Sequence, residues 1–186
     1  MPIFANDRDL LYLAVGGDEQ AARQIIQMLS SHAYGLAYKM LANQADAEDV
    51  LQDAFIRLWK GAHLFSGQSK LSTYFYTIVS RVCLNKLKAS PKNIFEEFDE
   101  TSHPVEESIE FDLIEQQNKN DIQKALNSLT PKQRLAIVMW SQEGLTAQQI
   151  GEVLHMTKNG VDQLLHRAKA QLRIQLQKGS NHEWSR

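Results

Sequence analysis

The stretch TAQQIGEVLHMTKNGVDQLLHRAK, residues 146–169, decides the fold. Thr146 offers a hydroxyl at a helix N-cap, and Gln149 stands three residues later, the spacing of a capping box. A second cap, Thr157, follows eleven residues after the first. The spacing therefore predicts a helix of about eight residues, a turn over His155–Thr157 and a longer second helix. Ile150, Val153, Leu154, Val161, Leu164 and Leu165 are spaced to pack the two helices together. A short helix, a tight turn and a longer helix make the helix-turn-helix layout. Helix pairs at an angle also occur in bundles that bind no DNA, so the layout alone leaves two readings open.

Upstream, Thr130-Pro131-Lys132-Gln133 repeats the capping signal, with Pro at the first helical position, and closes a helix expected over Phe111–Leu129. The rest is helical as well. Asp7–Val15 is a short helix stopped by Gly16-Gly17, and Asp18 caps a long one reaching about Leu41. Its expected stripe is Ala22, Ile25, Ile26, Leu29, Ala33, Leu36, Ala37 and Met40. A third helix starts near Asp46 and buries Ala47, Val50, Leu51, Ala54, Phe55 and Leu58. Gly61–Lys70 has loop composition, and Leu71–Ala89 is helical again. No run of alternating β-branched residues with Asn-Gly turns occurs, so the fold class is all-α. A length of 186 residues, 43% apolar and 23% charged, suits one domain or two small ones and argues against wholesale disorder. The expected division is residues 1–90, a flexible acidic linker over 91–110 that holds Pro91 and Pro104, and residues 111–186.

The charge is segregated. Residues 91–115 set Lys92 against nine acids: Glu96, Glu97, Asp99, Glu100, Glu106, Glu107, Glu110, Asp112 and Glu115. Residues 116–186 hold ten basic and five acidic residues, so a formal charge of −2 hides a basic block that attracts polyanions. The acidic strap either competes for those basic surfaces or serves as a solvated linker. Cys83 is the one cysteine, which excludes an intrachain disulfide, two-Cys or four-Cys zinc sites and iron–sulfur clusters. His32, His63, His103, His155, His166 and His182 form no metal spacing, and there is no Gly-rich phosphate loop and no His-Glu-x-x-His. Neither a metal, a cofactor nor catalysis is expected. No stretch reaches the roughly 18 apolar residues of a membrane helix. MPIFANDRDLL lacks the basic region and apolar core of a signal peptide. A cytoplasmic location without membrane insertion is expected.

Two regions have nucleic-acid chemistry. The second helix of a helix-turn-helix lies in the major groove with its N-terminal residues against base edges. Those residues are Lys158, Asn159, Gly160, Asp162 and Gln163. Lys donates to guanine, and Asn or Gln pairs with adenine. His166, Arg167, Lys169 and Arg173 follow, to hold phosphates or simply to face water. Asp162 counts against simple DNA binding unless it accepts from a cytosine amino group. In residues 61–90, Phe65, Tyr74, Phe75 and Tyr76 stand beside Lys70, Arg81, Lys86 and Lys88. Cations among flat rings suit an unpaired strand. Phe75, Ile78, Val79 and Leu84 are read as core, and at least one of Tyr74 and Tyr76 as outward.

DAEDVLQDAFIRLW (46–59), FSGQSKLSTYFYTIVSRVCLNKL (65–87) and ALNSLTPKQRLAIVMWSQEGLTAQQIGEVLHMTKNGVDQLLHRAKAQLR (125–173) together resemble the extracytoplasmic-function (ECF) group of bacterial sigma factors, in that family's order. The resemblance implies two helical domains that bind core RNA polymerase and direct it to promoters. By that resemblance Asp46, Asp49, Gln52, Asp53 and Arg57 dock on a coiled coil of the largest polymerase subunit. Asp46 and Asp49 also suit a helix N-terminus, and the two roles coexist. Single-stranded minus-10 DNA is assigned to Phe65, Ser66, Gly67, Ser69, Lys70, Thr73, Tyr74, Thr77, Arg81, Asn85 and Lys86, with the Phe65–Lys70 loop around a flipped base. Duplex minus-35 DNA is assigned to Lys158, Asn159, Gly160, Gln163, His166, Arg167 and Lys169. An anti-sigma factor that covers the polymerase-binding surfaces is implied as a further partner. The chain departs from the family pattern at several places. Tyr74 stands for a usual Trp, Arg81 for Asn, Asn85 for Asp, Gln149-Ile150-Gly151 for Glu-Ile-Ala, and Asp162 follows Val161 where Lys is usual. A stand-alone helix-turn-helix regulator is the competing reading. It leaves residues 46–59 and the aromatic loop unexplained.

Overall fold

The computed structural model describes residues 6–89 and 120–180, all of whose regular elements are helical. The linker expected over 91–110 lies outside these residues, as does the first part of the helix expected over Phe111–Leu129.

Local caps set the first helices. α1 (Asp7–Val15) begins at Asn6, whose side chain accepts from Asp9 N–H. Gly17, at φ 99°, then takes the left-handed turn that a side chain would resist. Asp18 accepts from Ala21 N–H and opens α2 (Glu19–Leu41). The buried stripe of α2 is Ala21, Ile25, Leu29, Ala33, Leu36, Ala37 and Met40. Ile26 is 43% exposed, so the apolar face is rotated toward Ala21 from the expected Ala22 and Ile26. α3 (Gln44–Lys60) starts two residues before Asp46 because Asn43 is its cap. Ala47, Val50, Ala54 and Leu58 are buried, with Leu51 and Phe55 packed half-exposed against them. Gly61–Lys70 is irregular apart from one 3-10 turn at Ala62–Leu64. α4 (Leu71–Ala89) is capped from a distance: Leu71 N–H donates to Asp7 Oδ2 at 2.7 Å.

The C-terminal unit follows the threonines. A helix over residues 120–127, here α5, precedes α6 (Pro131–Gln142). Thr130 and Gln133 close one capping box, and Thr146 and Gln149 close the second at the start of α7 (Ala147–Leu154). His155 ends α7 in the left-handed conformation at φ 52°. Thr157 then accepts from Gly160 N–H to open α8 (Lys158–Ser180). The turn leaves no room at Gly151, where a Cβ would lie 2.6 Å from the Met156 carbonyl oxygen.

The two helical units pack on each other: α2 against α6, and α4 against both α6 and α7. One apolar cluster runs through both. Arg134 of α6 is 6% exposed and donates to the carbonyls of Leu126 at 2.9 Å, Asn127 at 3.2 Å and Met40 at 2.7 Å. Gln123 Nε2 donates to the Lys39 carbonyl at 3.2 Å. The expected layout of two helical units therefore stands, with a shared interior added.

Gly151→Ala should lower stability by about 1–3 kcal/mol, the range for forced overpacking, because the obstructing atom is backbone. Chemical unfolding of the variant measures it, and an unchanged midpoint contradicts the close approach.

Candidate nucleic-acid interface

The outward face of α3 is open to solvent along its length. Asp49, Gln52 and Arg57 are exposed, and Asp46 and Asp53 are half-exposed. Their positions follow from the helix period, since the opposite stripe is in the core. Arg57 grips Asp53 one turn back at 2.9 Å. Ile56 sits beside them, 50% exposed. The sequence reading missed it, although its position off the buried stripe was visible. An apolar side chain among charges is what a helical partner needs for an anchor.

Lys86 was expected on DNA. Its ammonium instead lies 2.7 Å from Asp46 Oδ1 and 3.1 Å from Asp49 Oδ2, tying α4 to α3. Burial alone would lower this lysine. The hydrogen bonds to Asp46 and Asp49 outweigh it and hold Lys86 above its ordinary value. Phe65 is likewise engaged within the chain. Its ring is 2% exposed and lies tilted against Tyr74 with centroids 5.1 Å apart, so it floors the loop rather than offering a free face. The loop closes apolar side chains under a polar rim, and the aromatic with most burial to gain goes inward.

Ser66, Gly67, Gln68, Ser69 and Lys70 form a cleft of about 530 Å³ with Asn6, Asp7 and Arg8. Gly67 takes φ 78°, and Arg8 lies against it. Arg8 is a cation the sequence reading left out, because only the fold brings α1 to this loop. Tyr74 is half-exposed, and Asn85 is exposed. Thr73 is 4% exposed, and Thr77 donates its hydroxyl back to the Thr73 carbonyl. Arg81 is exposed, but its Nη2 donates to His155 Nε2 at 2.6 Å, across to the turn of the helix-turn-helix. Tyr76, the other candidate for an outward ring, is 6% exposed and donates to Glu143. Burial, then that hydrogen bond and the Glu143 charge, push its phenol well above the usual range.

On α8, Lys158, Asn159, Gln163, His166 and Arg167 are exposed, and Gly160 is half-exposed. Asp162 shares a shallow cleft of about 430 Å³ with Gln163, His166 and Arg167. Lys169 turns away from this edge. Its ammonium lies 3.3 Å from the centroid of the Trp140 ring, beside an apolar groove of about 1050 Å³ that Ile122 and Leu172 also line. A cation held over an indole is engaged rather than free for phosphate.

The fold is that of a helical protein in two units, one with a polar, cationic loop and one with a helix-turn-helix whose second helix has an exposed edge. The sequence agrees on a narrower class. Residues 25–91 match the Sigma-70 region 2 family model, and residues 119–172 match the model for Sigma-70, region 4. The chain is 28% identical over 170 residues to the ECF RNA polymerase sigma factor SigW of Bacillus subtilis, covering 86% of this chain and 91% of that protein. It is 32% identical over 177 residues to the ECF RNA polymerase sigma factor SigE of Mycolicibacterium smegmatis, covering 89% and 66%. The fold is shared with CnrH, solved in complex with the cytosolic domain of CnrY, at a TM-score of 0.71 and 19% identity over 92% of this chain and 97% of that one. It is shared too with the sigma factor RpoE of Bartonella quintana, solved with the anti-sigma factor NepR, at a TM-score of 0.66 and 19% identity over 83% and 96%. The chain belongs to the sigma-70 family, in its extracytoplasmic-function group. Among the described residues, no helix is long and apolar enough to cross a membrane.

Lys86→Ala should cost about 1 kcal/mol at low salt, the upper end for exposed pairs, because one ammonium serves two carboxylates. The loss should shrink at high salt. Urea unfolding at two ionic strengths tests the assignment, and a salt-independent effect contradicts it.

Proposed function

We propose that this sigma factor docks on core RNA polymerase through the outward face of α3 and directs transcription from promoters with minus-10 and minus-35 elements. Asp46, Asp49, Gln52, Asp53, Ile56 and Arg57 form the docking face. The carrying observation is that this face is exposed while its opposite stripe is core. A stand-alone DNA-binding regulator has no use for it.

The minus-10 strand is taken by the Ser66–Lys70 rim with Arg8, Tyr74 and Asn85. Thr73, Thr77, Arg81 and Lys86 take part only through rearrangement of their present contacts, and Phe65 supports the loop from below. Tyr74 supplies the stacking surface, worth about 1–3 kcal/mol per base. The minus-35 duplex is read by Lys158, Asn159, Gly160 and Gln163, with His166 and Arg167 on phosphates and Lys169 nearer the groove. The domain boundaries are residues 1–90 and 111–186. Work on polymerase places the chain in the cytoplasm, as a specificity subunit without catalysis of its own. An anti-sigma factor restrains it. The support is that RpoE of Bartonella quintana was solved with the anti-sigma factor NepR, together with the exposed Trp140 and Ile122.

Transcription in vitro with core polymerase is the direct test. Ile56→Asp should abolish co-elution with core while the variant keeps its helical signal. Retained co-elution places docking elsewhere. Tyr74→Ala should transcribe from a pre-melted template far better than from the same promoter as duplex. Equal loss on both templates removes Tyr74 from strand opening.

A further inference from the structure

The acids of residues 91–115 take no part in the proposed function. Their last stretch, VEESIEFDLIE (105–115), has five acids and no base. It also has five large apolar residues, Val105, Ile109, Phe111, Leu113 and Ile114. A solvated linker is poor in such residues. The stretch lies outside the described residues, and residues 116–119 alone separate it from α5, at most about 18 Å of extended chain.

The described surface at that point is the apolar groove of about 1050 Å³ between α5, α6 and α8. On its walls Ile122 is 51% exposed and Trp140 44% exposed. The charged residues that line it are Lys39, Lys169 and Arg173, three cations and no acid. Among the described residues, none of the three is ion-paired with a carboxylate. Burial pulls Lys39 below its ordinary value, and the charge of Glu143 only partly offsets it, so a further anion there is favourable. A phosphate backbone would meet the cations and leave the apolar walls wet. A second copy of the groove would set cation against cation. An acidic segment with apolar side chains answers both features, and the short tether holds it at an effective concentration on the order of millimolar.

We propose that residues 105–115 dock in this groove of their own chain, with apolar side chains against Ile122, Trp140 and Leu172 and carboxylates on Lys39, Lys169 and Arg173. The docking needs neither polymerase nor DNA, so it stands or falls apart from the promoter assignment. A partner that requires Trp140 and Ile122 then sees only the fraction of chains whose groove is vacant.

The test places the photoreactive residue p-benzoylphenylalanine at position 111 of the full chain. Irradiation of the dilute protein should join it, within one chain, to the peptides that hold Trp140 or Leu172. Adducts elsewhere on the chain, adducts between two chains, or no protein adduct overturn the proposal. A fluorescent peptide of residues 105–115 gives a second reading on a full chain carrying Glu106→Gln, Glu107→Gln, Glu110→Gln, Asp112→Asn and Glu115→Gln. The peptide should bind that chain at least about tenfold more tightly than the wild type, whose groove is already taken. Adding Lys169→Glu should weaken the peptide by about threefold or more, the effect of an exposed ion pair, while the helical signal is kept. Equal affinity for wild type and neutralised chain, no binding to the neutralised chain, or indifference to Lys169→Glu each overturns the docking.

Discussion

A single guanidinium joins two helix ends that would otherwise be left unsatisfied. The last carbonyls of a helix have no partner within it and carry the negative end of its dipole. Arg134 donates to Leu126 and Asn127 at the end of α5 and to Met40 at the end of α2. The neighbouring carbonyls of α2 are met as well, Tyr38 by the Ala42 N–H at 2.7 Å and Lys39 by Gln123. Ala42 accepts a left-handed φ of 55° to do so, a conformation that non-glycine residues adopt at some cost. Burial pulls Arg134 below its ordinary value, yet arginine stays charged under any working condition. A buried cation with no carboxylate beside it among the described residues is tolerable where oriented dipoles replace the water it lost. Arg134 is thus one of several ties between the units, beside Gln123 on Lys39, Glu143 on Tyr76 and His32, and the shared apolar cluster.

What the sequence made legible was local. Thr130, Thr146 and Asp18 each cap the helix that starts beside them, and the capping spacing is written within four residues. The bounds of α1 and α2 follow from the same short-range chemistry. What it hid was long-range. Nothing near Leu71 shows that Asp7 caps α4, because that bond joins residues 64 apart. Phe65 reads as a stacking residue among serines and lysines, and only the closed loop shows it under Tyr74. Lys86 carries the same charge whether it meets phosphate or Asp46 and Asp49. Composition records how many charges exist, not which are already paired.

Two of the departures from the family pattern have a structural role in packing. Arg81, where the family usually has Asn, is long enough to reach His155. Gly151, where Ala is usual, lets the Met156 carbonyl approach where a methyl group would stand. Tyr76 has its hydroxyl on Glu143 rather than toward solvent. Arg81 thus has a role in the packing of one unit on the other, and Gly151 in the tightness of the turn.

The same bookkeeping of charge changes the field that DNA meets. Glu143 is buried in the contact between units, and Asp46 and Asp49 are occupied by Lys86. Each pairing withdraws a cation as well as a carboxylate, so Lys86 and its two acids contribute little net field where they stand. Asp162 is the exception, exposed beside Gln163, His166 and Arg167. A carboxylate there is repelled by the backbone and tolerated near base edges that offer a donor. Its presence confines the acceptable poses of α8 to those that keep it off the phosphates, which makes it a constraint on orientation as much as on sequence.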